Sequence, residues 1–104
     1  MIIVTSETIV GKQVIETKGF VQGSTVRAKH LGRDIAAGLK NLVGGELKGY
    51  TELLNESRQE SLQRMVEQAR QMGANAIICV RFSTSAITQQ ASEVLCYGTA
   101  VVVQ

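Results

Sequence analysis

Residues 45–82, GELKGYTELLNESRQESLQRMVEQARQMGANAIICVRF, decide the fold, because they read as one long amphipathic helix, a glycine stop and a buried strand. Apolar or small residues recur at Tyr50, Leu54, Ser57, Ser61, Met65, Ala69 and Met72 in steps of three and four, with Leu53, Leu62 and Val66 alongside. That spacing draws one stripe along a helix. The opposite side carries Glu52, Glu56, Gln59, Glu60, Gln63, Glu67, Arg70 and Gln71, and Glu60 precedes Arg64 in the favourable order for a pair one turn apart. Gly73 follows the last apolar position, where a left-handed residue can cap the final carbonyls without a Cβ penalty. Ala76 to Phe82 is then rich in β-branched residues and predicts a strand.

Working outward, Ile2 to Val4 reads as a short strand, and Gly11 marks a turn. Lys12 to Ala28 predicts an extended but bent or interrupted strand, with Gly19 and Gly23 suited to bends or close backbone approach. Its polarity on both sides places it near a sheet edge. Leu31 to Val43 shifts to a helical period at Ile35, Leu39, Leu42 and Val43, with Asp34 in the first turn and Gly44-Gly45 at the end, and predicts a short helix.

Ala76 to Thr84 and Ser92 to Val103 should pair as an antiparallel hairpin across the polar segment Ser85 to Ala91. Placing Arg81 opposite Glu93 gathers Ile78, Val80, Phe82, Val94, Cys96, Gly98, Ala100 and Val102 on one apolar face. The other face then holds Ile77, Cys79, Arg81, Glu93, Leu95, Tyr97, Thr99, Val101 and Val103, with a cross-strand ion pair. The first face suits the long helix. The second is too apolar for water and yet carries charges and a tyrosine, which is the composition of an interface, so self-association is expected there.

At 104 residues the expectation is one domain, 1–104, whose core would gain from oligomerisation. Only four aromatic residues are present, so Ile, Val, Leu and Ala must fill the core. A net charge of +2, from 11 basic and 9 acidic residues, gives no field that argues for nucleic acid or a membrane surface. No apolar run approaches the ~18 residues a membrane helix needs. The start, MIIVTSETIV, does not read as a signal peptide because polar residues interrupt it, and two cysteines in such a chain suggest reduced thiols and a cytoplasmic setting.

Chemistry-bearing residues are few. The weak metal candidates are Cys79, Cys96 and His30, without the paired spacing of a zinc site. In the favoured register the thiols face opposite sides of the sheet, so a site would need several subunits around an axis. Buried packing cysteines and a satisfied or solvent-facing histidine are the simpler readings. With one histidine and no G-x-S-x-G elbow, a nucleophile-histidine mechanism lacks its parts. Arg81, Glu93 and Tyr97 could form an acid-base cluster in a subunit cleft, although an ion pair that fixes register explains them as well.

The motifs GGELKGYTELLNESRQESLQRM, GANAIICVRF and EVLCYGTAVVV, with RDIAAGLKNLVGG before them, resemble the YbjQ-like family of uncharacterised bacterial proteins, sometimes labelled heavy-metal-binding. The resemblance covers nearly the whole chain. It implies an α+β, two-layer domain of β-α-β-β type, an antiparallel sheet covered by a long helix as in dodecin-like architecture, assembled as a homopentameric ring. Glu46, Tyr50, Arg58, Asn75, Arg81, Glu93 and Tyr97 match the family pattern, whereas Cys79, Ser83 and Cys96 depart from it, so these thiols are not the family's shared ligands. The functions implied are a self-assembling module with a divalent or heavy metal ion, or a small ligand, at subunit interfaces; an enzyme using Glu46, Tyr50, Arg81, Glu93 and Tyr97; or a structural ring that docks another protein.

Overall fold

The computed structural model describes residues 1–28, 48–88 and 91–104. The elements in chain order are β1 (Ile2–Ile3), β2 (Val14–Ala28), α1 (Lys48–Gln71), β3 (Ala76–Thr88) and β4 (Ala91–Val103). They build an α+β unit with the four strands in one sheet, ordered β1-β3-β4-β2. The short helix expected over 31–43 lies outside the described residues, as do His30 and Glu46.

Helix α1 follows its sequence pattern. Ser57, Ser61, Met65 and Ala69 are all buried, and they pack chiefly on β2 with β4 behind it. The small serines let the helix backbone come down onto the sheet at Gly23, where a Cβ would lie 2.2 Å from the Ser61 carbonyl oxygen and 2.5 Å from the Met65 nitrogen. The helix ends where the glycine predicts. Gly73 is left-handed at φ +81°, its N–H donates to the Arg70 carbonyl at 3.0 Å, and the Ala74 N–H donates to the Ala69 carbonyl at 3.1 Å. These two bonds are the Schellman closure, which satisfies carbonyls the helix leaves open.

The sheet departs from expectation in three ways. It is mixed rather than wholly antiparallel, because β1 runs parallel to β3 with Ile2 beside Ala76. The N-terminal segment hydrogen-bonds along the edge of β3, through Val4 N–H to Ile77 O, Val80 N–H to Val4 O and Cys79 N–H to Ser6 O. Secondly, the hairpin strands run through most of the segment expected to connect them, since β3 continues to Thr88 and β4 begins at Ala91. The ladder bonds made by Ser85 and Ala86 outweigh the polarity of their side chains.

Thirdly, the hairpin register is not the one expected. Arg81 pairs with Tyr97, and Glu93 pairs with Ser85. Between Ile78 and Arg81 the ladder also slips, at a bulge where Cys79 adopts φ +56°. One inserted residue reverses which side chains face inward before it. Ile77, rather than Ile78, therefore joins the helix-side core of Val21, Met65, Ala69, Val80, Cys96 and Ala100. Ile78 turns to the other face, where it packs with Ala76, Val101, Val103 and Ile9. The bend expected in β2 is present as register slips between Val14 and Glu16 and between Thr17 and Gly19.

Candidate functional site

The face of the sheet away from α1 can be read row by row from the register. Phe20 stands beside Thr99; Gln22, Tyr97 and Arg81 form the next row; Ser24, Leu95 and Ser83 the next; and Val26, Glu93 and Ser85 the last. Side chains two apart on a strand share a face, so these rows make one continuous surface. At one end the N-terminal segment covers it, with Ile9 packed on Val101 and Val103. Beyond that cover the surface is open among the described residues. Phe20 is 61% exposed and Val26 53% exposed, and the Phe20 and Tyr97 rings sit 6.4 Å apart, tilted at 34°.

The charges on this face do not meet. The ion pair expected between Arg81 and Glu93 is absent, because Glu93 lies opposite Ser85, four positions along β3 from Arg81. At roughly 3.3 Å per residue the two are about 13 Å apart along the strand. Arg81 turns instead to the N-terminal segment, donating from Nη1 to the Thr5 carbonyl at 2.7 Å and to the Val80 carbonyl at 2.9 Å. Among the described residues neither Arg81 nor Glu93 has an ion-pair partner.

The edges of the sheet are treated unequally. On β2, the Gln22 N–H donates to Gln68 Oε1 at 2.7 Å, and Arg64 Nη1 donates to the Ser24 carbonyl at 2.5 Å, so α1 closes that edge with its side chains. Glu60 holds the closure by taking Arg27 Nη2 at 2.9 Å and Arg64 Nη2 at 2.5 Å on its two oxygens. On β3 the N-terminal segment covers residues 77–80. From Phe82 to Ala86 no described residue pairs with the outer edge, and the side chains there are exposed. An uncovered edge of regular strand is a template for another chain.

Of the five residues proposed as a shared site, the structure brings Arg81 and Tyr97 together and leaves Glu93 on the same face but out of reach. Tyr50 belongs to α1, in the other layer, and Glu46 is outside the described residues. Asn75 has a structural task. Its side chain bridges to the end of β4, accepting from the Val103 N–H at 2.7 Å and donating to the Val103 carbonyl at 2.9 Å. Arg58 Nη2 donates to Asn55 Oδ1, one turn back on the helix. Leu95 lies on the outer face as the sequence pattern expects, whereas Phe20 and Val26 of β2 were not among the expected site residues. Phe20 had a signal, since a large aromatic in a strand read as an edge strand is hard to bury.

The donors present do not make a metal centre. Among the described residues no three His, Cys, Asp or Glu side chains converge. Cys96 is fully buried with the Met65 sulfur 3.6 Å from its own, and burial pushes its thiol up to about 11, away from the thiolate a metal requires. Cys79 sits in the bulge of β3, and both cysteines are free thiols.

A family model described as "Putative heavy-metal-binding" (YbjQ_1) matches residues 1–104. A UPF0145 protein from Hahella chejuensis is 62% identical over 104 residues, covering 100% of both chains. This chain belongs to the UPF0145 family. UPF0145 proteins from Dehalococcoides mccartyi, 55% identical over 104 residues and the full length of both chains, and from Acinetobacter baylyi, 63% identical over 94 residues, 90% of this chain and 87% of that one, are similar as well. The UPF0145 fold has a counterpart among solved structures. A crystal structure of a protein of unknown function from Pediococcus pentosaceus, assigned to the DUF74 family, superposes with a TM-score of 0.67 at 17% identity, over 100% of this chain and 98% of that one. At that identity the likeness concerns the fold alone.

Proposed function

We propose that this UPF0145 chain is a self-assembling, non-enzymatic module, a homo-oligomer whose copies bury the sheet face around Phe20, Tyr97, Leu95 and Val26. The observation that carries the reading is that face itself, where, among the described residues, large apolar side chains stand beside charges without ion-pair partners and a strand edge without cover. Patches of this kind on soluble proteins mark sites of association. The family resemblance implies a five-membered ring for that assembly, and the reading of both cysteines as reduced thiols suggests a cytoplasmic setting. No helix among the described residues is long and apolar enough to cross a membrane.

A metal or small ligand, if the family description applies to this chain, belongs at the subunit interfaces, because the donors of one described chain do not converge. Size-exclusion chromatography with light scattering, followed by native mass spectrometry at micromolar concentration, tests the assembly. A multiple of the 11.2 kDa chain mass is expected, and a monomeric mass overturns the reading. Elemental analysis of the same sample tests the metal. A stoichiometric ion supports an interfacial ligand site, whereas bare protein leaves an assembly without one.

A further inference from the structure

Within the proposed assembly, and resting on it, we infer that Arg81 of one copy pairs with Glu93 of the partner subunit. Both residues stand on the sheet face opposite α1, and the register keeps them about 13 Å apart within one chain at roughly 3.3 Å per residue. Neither finds an opposite charge among the described residues. The Thr5 and Val80 carbonyls engage only Nη1 of Arg81, so the rest of its guanidinium fork has no described acceptor.

Glu93 is only partly exposed, set between Val26 on β2 and Ser85 on β3. Among the described residues no cation stands beside this carboxylate. The face is therefore complementary to itself. One end is positive at Arg81, the other negative at Glu93, and Leu95, Tyr97, Phe20 and Val26 supply apolar area around them.

Further copies of the chain are the occupants that supply both missing charges. A neighbouring copy brings its carboxylate to Arg81 or its guanidinium to Glu93, and a two-fold neighbour brings both. In a two-fold contact the pair forms twice, and in a ring it forms once at each junction. The surrounding apolar side chains exclude water from the pair, so it fixes which registers of the copies are allowed as well as adding affinity.

Charge reversal tests this, using Arg81→Glu, Glu93→Arg and the double variant, each checked for native circular dichroism. The readout is the dissociation constant of the assembly, from dilution series followed by native mass spectrometry. Each single reversal should weaken assembly at least about tenfold, and the double reversal should restore it to within about threefold. Glu93→Arg is the cleaner single variant, because Arg81→Glu also removes the bond to Thr5. Wild-type protein that is monomeric overturns the proposed function and this pairing together. A wild-type assembly that tolerates both single reversals, or one that the double reversal does not restore, overturns the pairing alone.

Discussion

A Cβ placed on Gly23 would lie 2.2 Å from the carbonyl oxygen of Ser61, so strand β2 and helix α1 touch backbone to backbone. Three side-chain contacts depend on that approach: Thr25 Oγ1 to the Ser57 carbonyl at 3.2 Å, Arg27 Nε to Ser57 Oγ at 3.2 Å, and the Gln22 N–H to Gln68. Gly23 is not left-handed, so its conformation alone would admit another residue. Gly23→Ala should therefore destabilise through the contact, by about 1–3 kcal/mol or more, because backbone atoms cannot move aside as a side chain can. Chemical denaturation measures it. A loss below about 0.5 kcal/mol would show that α1 slides without cost.

Asn75 ties the start of β3 to the end of β4 with two side-chain bonds to Val103. Asn75→Ala leaves both the N–H and the carbonyl of Val103 without their partner and should cost about 1–2 kcal/mol. Amide exchange at Val103 should quicken in the same variant. Unchanged stability and exchange would assign that duty to the ladder alone.

Burial raises the Cys96 thiol from 9.0 to about 11, which gives stability a dependence on alkaline pH. The folded chain holds the proton more tightly than the unfolded one. Stability from this group is thus complete below pH 9 and falls as the pH rises toward 11, by about 1.4 kcal/mol per pH unit. The difference between wild type and Cys96→Ala, measured across that range, isolates the effect from other groups that titrate there. Equal pH slopes for the two proteins would mean that the thiol ionises in place. With its sulfur against Met65, Cys96 should also react with a thiol reagent only as the protein unfolds, whereas the partly exposed Cys79 reacts in the native state.

Phe20 separates folding from the proposed assembly. At 61% exposed it contributes little to the core of its own chain, so Phe20→Ala should preserve the native circular dichroism. Aromatic residues at the centre of interfaces carry much of the binding free energy. The dissociation constant of the assembly should therefore rise by about tenfold or more, and an unchanged value would place the interface elsewhere.

The helix was legible because its signals are local. A stripe at Ser57, Ser61, Met65 and Ala69 and a stop at Gly73 need only neighbours in sequence, and all of them took the expected places. The inner and outer sets on β4 were also legible, since Val94, Cys96 and Ala100 turn to the helix while Leu95, Tyr97 and Thr99 lie on the opposite face. What strand alternation could not supply was the pairing of Arg81 with Tyr97 in place of Glu93. Sliding a hairpin by two or four residues leaves every side chain on the same face, so registers that differ by an even number look equally good in a hydrophobic pattern.

The sequence by itself determined a long helix on one side of a sheet, a bent strand at its edge and an outer face that mixes apolar side chains with charges. Strand pairing and a bulge decided the rest. The hairpin ladder runs regularly from Arg81 beside Tyr97 to Ala86 beside Ser92, and Thr88 pairs with Ala91. The bulge at Cys79 puts a non-glycine residue in a left-handed conformation, held by the Cys79 N–H bond to Ser6. That bond joins segments distant in sequence and exists only once the N-terminal chain lies along β3. The separation of Arg81 from Glu93 is set by the continuous ladder between Arg81–Tyr97 and Ser85–Glu93, so the tertiary structure, and not the residue pattern, left them apart within one chain.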